Sequence, residues 1–176
     1  MIVEETTISS DRIYTGKVIS VKVDTVEVEN QGYQKREIVE HGGCVGIVAI
    51  NDKNEIILIK QFRKPIEKVI WEIPAGKLEV GENPKECAIR ELKEETGYEP
   101  QNLKLIHKFF TSAGFSNQKL YIYLATGLTP GESNPNDDES LEVYKISLEE
   151  AYNMVIKNEI EDAKTLIGIL LAKELI

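Results

Sequence analysis

The sequence predicts a single α/β domain on three observations. Apolar segments of strand length recur along the chain, three segments carry helix signals, and 41% of the 176 residues are hydrophobic, enough for a sizeable core. No apolar run approaches the roughly 20 residues needed to span a bilayer. The 21 basic and 30 acidic residues leave a net charge of −9 with no Lys/Arg block, so nucleic acid and anionic membrane surfaces are not expected partners. The opening Met1-Ile-Val-Glu-Glu5 places acids where a signal peptide carries bases, and a cytoplasmic setting is expected. Cys44, Cys87, His41 and His107 are too scattered for a disulfide framework or a four-ligand zinc site, and the thiols read as structural and reduced.

Residues 17–28 alternate, with Ile19, Val21 and Val23 on one face and a phase shift to Val26 and Val28 after Asp24-Thr25, which predicts strands joined by a bulge or bend. Residues 33–40 read as their partner, turned at Asn30-Gln31-Gly32. The apolar runs 45–50 and 56–59 flank Asn51-Asp-Lys-Asn54 and predict a hairpin of buried strands. Strand content returns at 69–73, 103–111, 120–125 and 141–146. Asn83-Pro84-Lys85-Glu86 combines an N-cap, a first-turn proline and a glutamate three residues after the cap, opening a helix that Gly97 closes. Ser147-Leu-Glu-Glu150 is a second capping box before a helix at 151–157. The last helix is expected from about 162 to 175, with Leu166, Ile169 and Leu170 asking for a core. Residues 129–140, with two prolines, a glycine and two asparagines, form a long surface loop of the kind that is often functional. The organisation expected is an N-terminal β arm, 1–42, and a main body, 43–176.

Chemistry concentrates between Gly76 and Tyr98. A Walker loop and a G-x-G-x-x-G turn are absent, yet this stretch joins a glycine-rich turn, a capped helix and a closing glycine, and holds six glutamates. Glu91, Glu94 and Glu95 project from one helix face at spacings of three and four. Like charges so placed repel, and a hard divalent cation is the natural counterweight. A solvated acidic face with intrahelical ion pairs is the alternative on composition alone. Arg90, four residues from both Glu86 and Glu94, is placed to orient acids, and Ala88, Ile89 and Leu92 form the stripe that anchors the helix to a sheet.

Gly76, Glu82, Arg90, Glu91, Leu92, Glu94, Glu95 and Gly97 match the Nudix box, G-x5-E-x7-R-E-U-x-E-E-x-G-U with U a bulky apolar residue. Its seven fixed positions would coincide by chance about once in 10⁸ starting points at background frequencies. Tyr98 departs from the aliphatic residue usual there. Thr7-Ile-Ser-Ser-Asp-Arg-Ile13, the segment from Gly16 to Val26, Lys35-Arg-Glu-Ile-Val-Glu-His41, Gln61-Phe-Arg63 and Glu72-Ile-Pro-Ala-Gly-Lys-Leu-Glu79 extend the resemblance, over most of the chain, to bacterial ADP-ribose pyrophosphatases of the Nudix hydrolase superfamily.

That resemblance implies an α/β/α sandwich around a mixed sheet, with an N-terminal antiparallel β arm that pairs two subunits into a homodimer. It implies hydrolysis of a small nucleoside diphosphate substrate, ADP-ribose, to AMP and ribose 5-phosphate with Mg²⁺, Mn²⁺ being the alternative ion. The metal ligands it implies are the backbone carbonyl of Ala75 and the carboxylates of Glu91, Glu94 and Glu95, with Arg90 orienting the acids. Arg63 is assigned to the phosphates, a surface ion pair being its alternative. Arg36 and Glu37 are assigned to the adenine, against simple salt bridging at a strand edge, and Phe115 to the pocket lining. Trp71 reads as core or interface. The general base is expected in 136–143, from Glu139 first, then Asp137, with Asp138 and Glu142 beside them. Ala113 stands where the resembling enzymes usually carry a proline and Gln118 where they often carry an acid. The same chemistry on a GDP-sugar, a dinucleotide or flavin adenine dinucleotide therefore stays open, as does a non-catalytic ADP-ribose sensor.

Overall fold

A computed structural model describes residues 3–134 and 140–176, which fall into two compact units. One is Met1–Gly43 with Phe109–Lys119, the other Cys44–Lys108 with Leu120–Ile176.

In the first unit β1 (Thr6–Thr15), β2 (Ile19–Val28) and β3 (Gly32–His41) form an antiparallel sheet in that order. The phase shift expected to break residues 17–28 does not break them. Pairing with β3 runs without interruption from Ile19 opposite His41 to Val28 opposite Gly32. The two apolar sets are the two faces of one strand, and Asp24 takes a buried position beside Val26 and Val28 because Lys22 donates to its Oδ2 at 2.9 Å. β1, for which the residue pattern predicts no strand, is exposed at all ten positions. The segment 111–118 docks on β3: Val39 N–H donates to the Phe115 carbonyl at 2.8 Å, and His41 N–H donates to Asn117 Oδ1 at 2.9 Å.

The second unit contains β4 (Cys44–Ala49), β5 (Glu55–Arg63), β6 (Lys68–Glu72), β7 (Ala75–Lys77), β9 (Lys119–Pro130) and β10 (Leu141–Ser147), with most of β8 (Tyr98–Phe110). One sheet has the order β7-β4-β9-β8, with β4 parallel to β9 and antiparallel to β7, and the other the order β10-β5-β6. The hairpin expected from 45–50 and 56–59 does not form. Among the described residues the two runs are joined at the bridge Ile50–Ile56 and by Asn51 N–H to the Glu55 carbonyl, and β4 and β5 go to different sheets. Both strands are apolar on both faces, so each needs neighbours of its own.

The helices are α1 (Pro84–Thr96), α2 (Leu148–Ile156) and α3 (Ala163–Leu175), capped by Asn83, Ser147 and Asp162, whose side chains accept from Lys85, Glu150 and Thr165 N–H. β4 is sandwiched between helices. Val45, Ile47 and Ala49 pack with Cys87, Ala88 and Leu92 of α1, while Val48, on the opposite pleat, meets α3 at Gly168. α3 buries Thr165, Gly168, Ile169 and Ala172, so the expected stripe is rotated, and Leu170 stays 36% exposed. The rotation follows from how near α3 lies to β4.

A Cβ on Gly168 would stand 2.8 Å from Val48 Cγ2. Gly168→Ala is therefore expected to destabilise the protein by about 1–2 kcal/mol, although helix propensity alone favours alanine by about 1 kcal/mol. A urea midpoint at or above that of the parent would refute this packing.

Candidate active site

The site is built by the short β7, the turn after it and α1. Helical periodicity puts Cys87, Ala88 and Leu92 against the sheet, and Glu91 and Glu95 fall on the flank of the same buried face. Ile89 is 37% exposed and Cys87 takes the packing place expected for it. Glu91 and Glu95 are only 6% and 2% exposed. Their burial needs a backbone that lets them in. A Cβ on Gly76 would lie 1.8 Å from Glu91 Cδ, so glycine is the residue that lets this carboxylate lie against β7. Glu95 Oε2 accepts from Ala75 N–H at 3.0 Å.

Arg90 is the hub of the acidic face. Its Nε and Nη2 donate to the two oxygens of Glu82 at 2.9 and 3.1 Å, and its Nη1 donates to Glu91 at 2.8 Å and to Glu94 at 3.0 Å. Glu86, the other acid four residues away, is not among these partners. The guanidinium holds the Glu82 carboxyl down at about 2, and Glu82 in return raises Arg90. Burial pushes the Cys87 thiol up to about 12, so it stays neutral. Three carboxylates thus share one guanidinium, and the fourth, Glu95, is held by a backbone N–H.

As the side chains stand, no three His, Cys, Asp or Glu groups among the described residues converge to hold a metal ion, and Arg90 and Ala75 N–H engage the oxygens of Glu91, Glu94 and Glu95. The donor chemistry still fits a hard divalent cation: only carboxylate oxygens, an excess of negative charge, and a glycine cradle that admits Glu91 against β7 beside Glu95.

Arg63 ends β5 on the face shared by Ile59 and Glu72, which are cross-strand partners. Its Nε and Nη2 grip the two oxygens of Glu72, the latter at 2.8 Å. Burial pushes the Glu72 carboxyl up, but Arg63 and Lys164 outweigh it and hold it below its ordinary range. Glu72, 1% exposed, and Lys164 of α3 were not singled out by residue pattern, since their partners lie 9 and 92 residues away. Gln61, between Ile59 and Arg63, is also buried, and its Oε1 has no hydrogen-bond partner among the described residues.

Of the expected general bases, Asp137, Asp138 and Glu139 lie outside the described residues. Glu142 pairs across with Lys60 and accepts from Tyr144 OH at 2.5 Å, on the sheet face opposite Glu72 and away from Arg63. Trp71, opposite Lys60, shares that face. It stands edge-on to Tyr144 at 4.8 Å with Lys60 Nζ 4.4 Å above its ring, and is half-buried rather than in the core. Asn134 N–H donates to the Glu94 carbonyl at 3.0 Å, and Gly97, at φ 75°, admits Gly131 at a distance no side chain would allow.

In the first unit Arg36 and Glu37 are strand neighbours and face opposite ways. Arg36 grips Glu5 through Nε and Nη2. Glu37 instead lines a hollow of about 290 Å³ with Ile13, Val21, Val23, Val39 and Phe115. The structure therefore brings Glu37 and Phe115 together and leaves Arg36 outside. Gln118 Oε1 accepts from Thr111 Oγ1 at 2.7 Å, closing the segment that holds Ala113.

Glu82 is lowered from 4.5 to about 2 in the folded chain, so its contribution to stability is complete above about pH 4.5 and is lost as pH falls towards 2. Urea midpoints followed down to acid pH should fall more steeply for the parent than for Glu82→Gln. Parallel curves would show that the Arg90 pair does not support the fold.

The NUDIX domain model matches residues 40–167. An ADP-ribose pyrophosphatase of Bacillus subtilis (strain 168) is 46% identical over 168 residues, covering 94% of this chain and 91% of that protein. A methanol dehydrogenase activator of Bacillus methanolicus is 43% identical with the same coverage. An ADP-ribose pyrophosphatase of Mycobacterium tuberculosis (strain ATCC 25618 / H37Rv) is 36% identical, covering 93% of this chain and 81% of that one. A crystal structure of an ADP compounds hydrolase superposes with a TM-score of 0.86 over 98% of this chain and 94% of that chain at 22% identity, which carries the fold. With the glycine cradle, the Arg90 hub and a family model that spans most of the sequence, the chain belongs to the NUDIX family.

Proposed function

We propose that this protein hydrolyses ADP-ribose to AMP and ribose 5-phosphate with the help of Mg²⁺, or Mn²⁺ in its place. The observation that carries the reading is the pair of buried carboxylates at β7, Glu91 admitted by Gly76 and Glu95 held by Ala75 N–H. Relatives named ADP-ribose pyrophosphatase, at 46% and 36% identity, supply the substrate.

Hydrolysis adds one water across the diphosphate: one P–O bond forms and the bridging P–O bond breaks. A divalent cation, when bound, neutralises the diphosphate and lowers the pKa of water. Glu91, Glu94 and Glu95, with the Ala75 carbonyl, would hold it. Arg90 orients Glu91 and Glu94 through Nη1. Arg63, 38% exposed, keeps Nε and Nη2 on Glu72 and offers the phosphates its remaining N–H donors, Nη1 first among them. Glu139 takes the proton from water, with Asp137 and Glu94 as the alternatives for the same role. Asn134, on the Glu94 carbonyl, and Leu141, opposite Gln61 beside Arg63, bracket the segment that carries Glu139. In the first unit the hollow lined by Glu37 and Phe115 offers an acceptor and an aromatic face to the adenine.

The exposed β1, with Ile8, Ile13 and Tyr14 each more than half exposed, supports a homodimer formed through the arm. That both cysteines are thiols fits a cytoplasmic setting, and no helix among the described residues is long and apolar enough to cross a membrane. A second reading follows from the relative named as a methanol dehydrogenase activator: the chain binds or cleaves a nucleotide and acts on a dehydrogenase partner.

ADP-ribose, GDP-mannose, NADH and flavin adenine dinucleotide, each given to the protein with Mg²⁺ and resolved chromatographically, test the proposal. AMP with ribose 5-phosphate from ADP-ribose is the expected result, abolished by chelation and restored by Mg²⁺. Cleavage of another compound in its place would move the substrate. Glu95→Gln is expected to lower kcat/KM about a hundredfold or more, and unchanged turnover would remove this carboxylate from the mechanism. Because 111–118 hydrogen-bonds to β3, the arm is best tested by deleting residues 1–15 alone. Sedimentation should show a dimer for the parent and a monomer of reduced activity for the deletion, and a fully active monomer would refute a role for the arm in the pocket.

A further inference from the structure

Glu72 is buried to 1% between two cations from different elements. Arg63 holds both of its oxygens from β5, and Lys164 Nζ reaches Oε2 from the first turn of α3. Lys164 is itself 13% exposed and also pairs with Asp162 Oδ2 at 3.0 Å. Thr165 Oγ1 donates to the same Asp162 oxygen and accepts from Ile73 N–H at 2.8 Å. The start of α3 is thereby tied to the strand end that leads, three residues after Glu72, to Ala75.

Two carboxylates and two cations make this quartet neutral. A carboxylate buried as deeply as Glu72 must be balanced by whatever cation is present. With Lys164 in place the load is divided. Without it, the whole charge of Glu72 falls on Arg63, which already lies in the fields of Glu95 and Asp162. Resting on the hydrolase reading above, we propose that Lys164 is a positioning residue for diphosphate binding: by taking Oε2 of Glu72 it leaves Arg63 with positive charge to offer the substrate.

Charge of this kind acts on ground state and transition state alike, so its loss raises KM and spares kcat. Steady-state kinetics on ADP-ribose with Mg²⁺ compare the parent, Lys164→Met, Lys164→Arg, Glu72→Gln and Glu72→Gln/Lys164→Met, with thermal melting to confirm folding. Lys164→Met is expected to raise KM about five- to tenfold with kcat within about twofold. Lys164→Arg should return KM to within about twofold of the parent, and Glu72→Gln/Lys164→Met should undo most of the rise, since the charge to be balanced is gone. A KM unchanged in Lys164→Met, or a double variant no better than Lys164→Met, overturns the proposal while leaving the hydrolase reading intact. Absence of turnover by the parent overturns both. If Lys164→Met does not fold, Glu72→Gln against the double variant decides: equal KM supports the proposal, and a further rise above about fivefold overturns it.

Discussion

The site depends on one guanidinium. α1 places Glu91, Glu94 and Glu95 within two turns, and Glu82 comes up from the preceding turn, so four negative charges meet beside a packed apolar face. Arg90 bonds three of them directly and Ala75 N–H bonds the fourth. Buried like charges are costly when unbalanced, and Arg90 alone offsets only part of that cost. On the proposed reading the same shortfall suits the cluster to a cation: a hub that balanced every carboxylate would leave nothing for a divalent ion to neutralise.

Local signals in the sequence were enough for the helices. Asn83 and Pro84 open α1 and Gly97 closes it, the capping box at Ser147 opens α2, and α3 begins where expected, with Asp162 as its cap. Strand pairing was less legible, because it is decided by partners far away in the chain. The runs 45–50 and 56–59 carry every sign of a hairpin, yet β4 joins β9 as a parallel neighbour and β5 joins β10 and β6. β1 has mixed polar and apolar residues, all exposed, and no face of it imprints a period.

The acidic box was legible for the opposite reason: its spacing is set by one turn and one helix, and Gly76 and Gly97 are required where the chain approaches itself. The burial of Glu91 and Glu95 was not legible, since charge and spacing alone describe a solvated face equally well. Nor were Glu72 and Lys164, whose meaning comes from being brought together across 92 residues. Arg36 and Glu37 show the converse, for adjacency in sequence places two strand residues on opposite faces.

Charge placement also constrains how a protein of net charge −9 takes up an anionic diphosphate. The basic side chains beside α1 and β6 do not come with a whole charge to give. Arg90 serves Glu82, Glu91 and Glu94, Arg63 serves Glu72, and Lys164 serves Glu72 and Asp162. Adding phosphate to such a neutralised array gains little, because each new contact competes with a carboxylate already bonded. Net attraction then requires a cation that arrives with the substrate, or a redistribution of existing pairs that frees part of a guanidinium. The acidic face of α1 is suited to the first, and the shared oxygen of Glu72 to the second. On the proposed reading the two would be complementary: the carboxylates would recruit charge to the diphosphate, and an arginine would be kept oriented but incompletely neutralised.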